Sequence, residues 1–229
     1  MLHATNIGDR RTSVDVIAEH LYEEIASLRL LPGTRISEAE IAERFGVSRQ
    51  PVRDAFGRLA SMDLLQIRPQ KATEVKRFSM AAIERARFVR AAVESEVLRR
   101  AAARCDEAGN LRLQAELAQQ HAVLRANDHG AFGDLDYAFH RALCEIAGVP
   151  FAFDVIREEK AKVDRLCMLG LSKEDRMPQL VRDHEAMAAA VAAGDAEAAV
   201  AAGMEHLARL DATIEAIQER NGNYFDDVD

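Results

Sequence analysis

After Arg77 the chain changes character: residues 78–229 carry 33 alanines and only two prolines, Pro150 and Pro178, against 8 alanines in the first 77 residues. Alanine has the highest helix propensity and proline the lowest, so a stretch of this composition folds as helices. Charge shifts at the same place. Residues 1–77 hold 12 Lys and Arg against 11 Asp and Glu, net +1, whereas residues 78–229 hold 18 against 27, net −9. The sequence thus divides into a small mixed domain over 13–77 and an all-helical one over 78–220, with almost no linker between Val75 and Met80. Residues 1–12 and 221–229 are expected to be flexible ends. The net charge of −8 is a sum over unlike parts, and by itself it does not exclude a polyanionic partner.

In the first domain, Val14, Ile17, Leu21, Ile25 and Leu28 recur at helical spacing until Leu31-Pro32-Gly33 supplies a turn. Ser37 and Glu40 stand at capping-box spacing before the apolar face Ile41, Ala42, Phe45, and Gly46 suits the left-handed residue that ends a helix. Ser48 can then cap a third helix, with Pro51 in its first turn. Two short helices separated by only Gly46-Val47 make helix-turn-helix spacing. On the third helix Val52, Ala55, Leu59 and Met62 form one apolar stripe, leaving Gln50 and Arg53 opposite and Arg49 at the margin. That arrangement presents arginines from the N-terminal turns to a major groove, where Arg49 and Arg53 can take a guanine edge or a phosphate and Gln50 can read adenine. Leu64–Ile67 and Thr73–Val75 read as strands of a wing with Arg68 and Lys71 at its tip. Residues 44–77 carry 8 basic against 3 acidic residues, whereas residues 1–43 carry 4 against 8. So strongly sided a distribution favours double-stranded DNA over a merely solvated helix face.

The run from Ile41 to Phe56, IAERFGVSRQPVRDAF, resembles the LAxxxGVSRxPVRxAL signature of the GntR family of bacterial transcription regulators. The resemblance implies that Arg49 and Arg53 contact an operator, with Ser48 and Gln50 nearby. Two positions depart from the family: Asp63 and Ala72 stand where glycine is usual, before the first wing strand and at the wing tip.

The second domain reads as a bundle of six antiparallel helices, about 80–104, 110–127, 131–147, 151–169, 175–193 and 195–219. Gly109-Asn110, Gly130, Gly148-Val149-Pro150, Gly170 with Ser172, and Gly194-Asp195 mark the breaks. The fold class is therefore mainly α: a winged helix-turn-helix domain followed by a helical bundle. Within that bundle Asp136 and His140 share a helix face, His184 lies on the stripe Leu180, Met187, Val191, and His206 on the stripe Gly203, Leu210, Ile217. Each histidine taken alone is better explained by a hydrogen bond inside the core. Together, one carboxylate and three imidazoles directed inward from three helices suit a divalent ion, Zn²⁺ first, with Ni²⁺, Mn²⁺ or Fe²⁺ as options, and leave positions open for a ligand.

Residues 80–220 resemble the ligand-binding (FCD) domain of the FadR subgroup, and the six-helix count resembles its VanR-like branch. Asp136-Tyr137-Ala138-Phe139-His140 matches the DxxFH motif, His184 precedes an AIxxGD-like stretch ending at Asp195, and His206-Leu207 matches the closing HL. The resemblance implies a metal on Asp136, His140, His184 and His206, and an effector-facing Arg90 within an R-x3-E element, although Arg90 could equally pair with Glu94 one turn on. Val149 replaces the asparagine usual after the third helix, and Arg165 is a second, weaker candidate for the effector. An open metal site and an arginine suit a small carboxylate such as a sugar acid or other organic acid.

The expected protein is a homodimeric regulator on an inverted-repeat operator, in a reducing cytoplasm, with no membrane association. Three cysteines at long spacings make no disulfide framework, and no segment approaches about 18 uninterrupted apolar residues. A metal-dependent hydrolase and a regulator that senses the metal itself are the alternatives. Against the former, the sequence shows no dedicated general base and no GxSxG motif.

Overall fold

The computed structural model describes residues 12–68, 71–126, 128–167 and 173–226. The chain forms two compact units, one running to Ser79 and resuming at Asn223, the other Met80–Gly222.

The first unit opens with α1 (Ser13–Ala26), which carries a capping box: the Thr12 hydroxyl accepts from the Asp15 amide and the Asp15 carboxylate accepts from the Thr12 amide. The reciprocal box anticipated at α2 (Glu38–Phe45) does not form. The Ser37 hydroxyl takes the amide of Ala39 instead, and Glu40 stays exposed. Gly46 ends α2 at φ 64°, and α3 (Arg49–Ser61) follows at once. Ile17, Leu21 and Ile25 of α1 and Val52, Phe56 and Leu59 of α3 form the core that fixes the angle of the motif.

Strands β2 (Leu65–Gln66) and β3 (Thr73–Val75) form the wing as anticipated, but a third strand, β1 (Arg35–Ile36), pairs with the other side of β3. Its two residues are too few for alternation to reveal. The turn at Gly33, φ 82°, delivers β1 to β3, with the Gly33 amide donating to the Val75 carbonyl. Asp63 adopts φ 61°, the left-handed conformation that glycine would take at this point, and its carboxylate pairs with the Lys76 ammonium. The departure at position 63 therefore leaves the backbone path in place, at the steric cost of a side chain in that region.

The second unit is all helical: α4 (Met80–Arg104), α5 (Glu107–Ala126), α6 (His129–Ile146), α7 (Ala152–Cys167), α8 (Lys173–Ala192), α9 (Ala196–Ala208) and α10 (Asp211–Arg220). Two of the anticipated breaks move. α5 begins three residues early because Asp106, not Gly109-Asn110, punctuates the chain, its carboxylate accepting from the Gly109 amide. The helix anticipated over 195–219 is split at Arg209-Leu210, so this unit has seven helices among the described residues. No glycine or proline announces that split. It lets α9 pack on α4 and α8 while α10 packs on α7, which one straight rod could not do, and Arg209 is held at the turn by Asp183. The break at Gly170 and Ser172 lies outside the described residues.

The chain end also differs from expectation. Gly222–Tyr224 form a 3-10 turn, the Phe78 amide donates to the Tyr224 carbonyl (2.9 Å), and the Asp226 amide donates to the Phe78 carbonyl (2.8 Å). The rings of Phe78 and Phe225 lie 5.6 Å apart, both buried. Residues 223–226 are thus part of the first unit and Thr12 caps α1, although 1–12 and 221–229 were expected as flexible ends; residues 1–11 and 227–229 fall outside the described residues. Phe225→Ala should lower the unfolding free energy by about 3 kcal/mol, as for other buried Phe→Ala changes, read as a fall in the urea midpoint. An unchanged midpoint would show that this end contributes nothing.

Candidate metal centre and DNA-facing surface

Four of the residues picked out in the helical unit converge. Asp136 and His140 on α6, His184 on α8 and His206 on α9 are all buried, and a potential ligand atom of each lies within 4.8 Å of those of the others. The imidazole centroids are 5.1–5.6 Å apart. Gly203 on α9 lets this approach happen, because a Cβ there would collide with Leu98 of α4 one turn before His206.

Hydrogen bonds fix how the imidazoles are presented. The Gln120 amide nitrogen donates to the Leu135 carbonyl (3.3 Å), which turns its oxygen to His184 Nδ1 at 2.8 Å. An amide oxygen only accepts, so His184 carries its proton on Nδ1 and keeps a lone pair on Nε2. That Nε2 has no hydrogen-bond donor and lies 3.2 Å from Asp136 Oδ1. Two lone-pair atoms face each other in the core, a geometry that calls for a cation between them. His140 repeats the pattern: Nδ1 faces Glu94 Oε2 at 3.3 Å and Nε2 is buried without a partner. His206 Nδ1 lies 3.4 Å from Asp183 Oδ2. Each imidazole therefore has an oxygen behind it, as metal-binding histidines do. The donor set fits a divalent ion, with three nitrogens and one carboxylate oxygen at hand.

Gln120, Asp183 and Lys160 were not singled out from the sequence, and Glu94 entered it only as a possible partner of Arg90. Gln120, Glu94 and Asp183 support the rings, and Lys160 of α7 is a buried ammonium 2.8 Å from Asp136 Oδ2. Gln120 and Lys160 each lie on an apolar stripe, Leu113-Leu117-Gln120 and Phe153-Ile156-Lys160-Val163, the same signal that marked the histidines. Arg90 is 3% exposed and forms the ion pair with Glu94 (2.7 Å), while its Nη2 is buried without a hydrogen-bond partner. Arg165 is half-buried on α7, outside the four-residue cluster.

Burial opposes charge on His184 and pushes it from its ordinary 6.5 down to about 4, with His206 lowered for the same reason. Asp136 would be raised by burial, but Lys160, then His184 and His140, hold it well below the usual carboxylate range. At neutral pH His184 and His206 are neutral and Asp136 is ionised. An unfolded chain takes up a proton at His184 near pH 6.5 that the folded chain refuses until about pH 4, so this contribution to stability is complete above 6.5 and lost as the pH falls towards 4. In the presence of chelator the urea midpoint should fall across that window, and His184→Phe should flatten the fall. A wild-type profile retained by the variant would contradict this burial-driven shift.

The other candidate residues lie on the first unit. Ser48, Arg49, Gln50 and Arg53 are exposed on the first turns of α3, and the Ser48 hydroxyl makes no cap bond although Ser48 is the capping residue. Arg53 is gripped by Glu38 through Nε (3.1 Å) and Nη2 (2.9 Å), and Gln50 donates to Asp54 (2.9 Å). Arg68 and Lys71 are exposed on either side of residues 69–70, which lie outside the described residues.

Comparisons with known proteins agree with this division. Residues 14–75 match the bacterial regulatory proteins of the gntR family, and residues 86–209 match the FCD domain. The chain is 36% identical over 205 residues to the HTH-type transcriptional repressor RspR of Escherichia coli K12, covering 90% of each. A putative GntR transcriptional regulator from Rhodococcus superposes with a TM-score of 0.70 over 89% of this chain and 97% of that one, at 22% identity. E. coli McbR/YncC superposes with 0.69 over 92% and 100%, at 19% identity. These two structures speak to the fold alone.

Proposed function

From the premise that this chain belongs to the GntR family of bacterial regulatory proteins and carries its FCD domain, we propose a metal-dependent, acid-responsive transcription regulator. Its relatives are regulators rather than enzymes, so the hydrolytic reading of the Asp/His cluster is set aside. In the proposal Asp136, His140, His184 and His206 hold one divalent ion, Zn²⁺ before Ni²⁺, Mn²⁺ or Fe²⁺, and a small carboxylate takes its open positions. The observation that carries this is the buried pair of lone-pair atoms, His184 Nε2 and Asp136 Oδ1, 3.2 Å apart with no donor between them. In this reading Arg90 holds the acid's other end, with Arg165 as a second contact; the buried Arg90 Nη2 without a hydrogen-bond partner supports it.

Operator binding falls to Arg49 and Arg53 with Ser48 and Gln50, and Arg68 and Lys71 reach the backbone from the wing. Two copies of the chain occupy the halves of an inverted repeat, since helix-turn-helix dimers match protein symmetry to operator symmetry. The E. coli relative RspR is named a transcriptional repressor, which supports repression as the direction of control. The proposed site of action is the cytoplasm, and no helix among the described residues is long and apolar enough to cross a membrane.

Gel shifts with the DNA adjoining the gene test both halves. Binding should weaken steeply with salt, and Arg49→Ala and Arg53→Ala should each cost about 1–3 kcal/mol. A panel of sugar acids and other organic acids should include one that shifts affinity in the metal-loaded protein and not after chelation. Release by chelator with no response to any acid would favour a metal sensor. Salt-independent binding would remove the operator reading.

A further inference from the structure

Lys160 lies within the helical unit as a buried ammonium, 8% exposed, aimed at a ligand carboxylate. Asp136 divides its two oxygens: Oδ1 faces His184 Nε2 at 3.2 Å, and Oδ2 receives Lys160 Nζ at 2.8 Å. The lysine is itself held from the far side. Asp164 Oδ2 lies 2.6 Å from Nζ, the Tyr137 hydroxyl donates to that same oxygen at 3.0 Å, and Nζ sits 4.6 Å from the centre of the Tyr137 ring. An ammonium locked between two carboxylates and an aromatic face cannot swing aside at little cost, so its charge stays next to the cluster. A divalent ion held by Asp136 Oδ1 would then sit one carboxylate's width from a fixed positive charge, in surroundings that screen it poorly.

We infer that Lys160 is a positioning residue for the ion: it limits Asp136 to a single donor oxygen and weakens the hold on the ion enough to keep it exchangeable. The inference rests on the metal reading above and adds a specific consequence. A two-oxygen grip by Asp136 would fill one more coordination position, so Lys160 also keeps that position available to an incoming acid.

The test is a Zn²⁺ titration of the full-length protein against a chromophoric chelator at neutral pH. Lys160→Met should bind Zn²⁺ at least about tenfold more tightly than wild type, because repulsion is lost and the second oxygen is released. Lys160→Arg, which keeps the charge, should stay within about threefold of wild type. Lys160→Met strands the Asp164 carboxylate, so a Lys160→Met/Asp164→Asn variant is measured beside it and should show the same tightening. Unchanged or weaker binding in both methionine variants, with wild type binding normally, overturns the role of Lys160 and leaves the metal reading standing. No binding by any of the four proteins overturns both.

Discussion

Three imidazoles and a carboxylate have been taken out of water together, and the helical unit is arranged around satisfying them. Leaving a buried polar group without a partner costs roughly 1–3 kcal/mol, and a buried charge costs more. Glu94, Gln120 and Asp183 face the Nδ1 atoms from α4, α5 and α8, while Lys160 reaches Asp136 from α7. The cluster's buried nitrogens without a hydrogen-bond partner are His140 Nε2, His184 Nε2 and His206 Nδ1, and His184 Nε2 faces Asp136 Oδ1 at 3.2 Å. A cation would complete the set, so the same packing that stabilises the bundle also shapes a place for one.

Chain topology suggests how such a site could be felt by the DNA-binding unit. The helical unit begins at Met80 and ends at Gly222, and at both ends the chain passes into the first unit, where Phe78 and Phe225 are paired by backbone and ring contacts. α9, which supplies His206, is followed by the Arg209-Leu210 turn and α10, which leads into that end segment. Any control by a ligand requires it to prefer one conformational state over another, and the two crossings are the covalent routes along which such a preference can act. The charge division serves the same regulator: the acidity lies with the helical unit, while α3 and the wing form the basic face.

Most of the Asp/His cluster was legible because helical periodicity is a local property: His184 and His206 occupy positions where neighbouring sequence demands apolar residues. Lys160 occupies the same kind of position, yet a lysine on a stripe usually extends its ammonium to water, and only Asp136 on another helix shows that this one does not. Arg90 illustrates the converse: both readings of it, the pair with Glu94 and an inward-facing group, were open in sequence, and the structure shows the first together with an unsatisfied Nη2. The split between α9 and α10 escaped because it follows from a change of packing partner, α4 and α8 giving way to α7, and not from any residue that breaks helices. Glu38 escaped for a similar reason: its grip on Arg53 links residues 15 apart, and no periodicity encodes it.

The central claim is that these four side chains are one ion's ligands, and equilibrium dialysis of the purified protein against Zn²⁺ tests it directly. The account predicts one tightly retained ion per chain in wild type and none in a His184→Ala/His206→Ala variant that keeps its helical circular dichroism. Unchanged stoichiometry and affinity in that folded variant would contradict it.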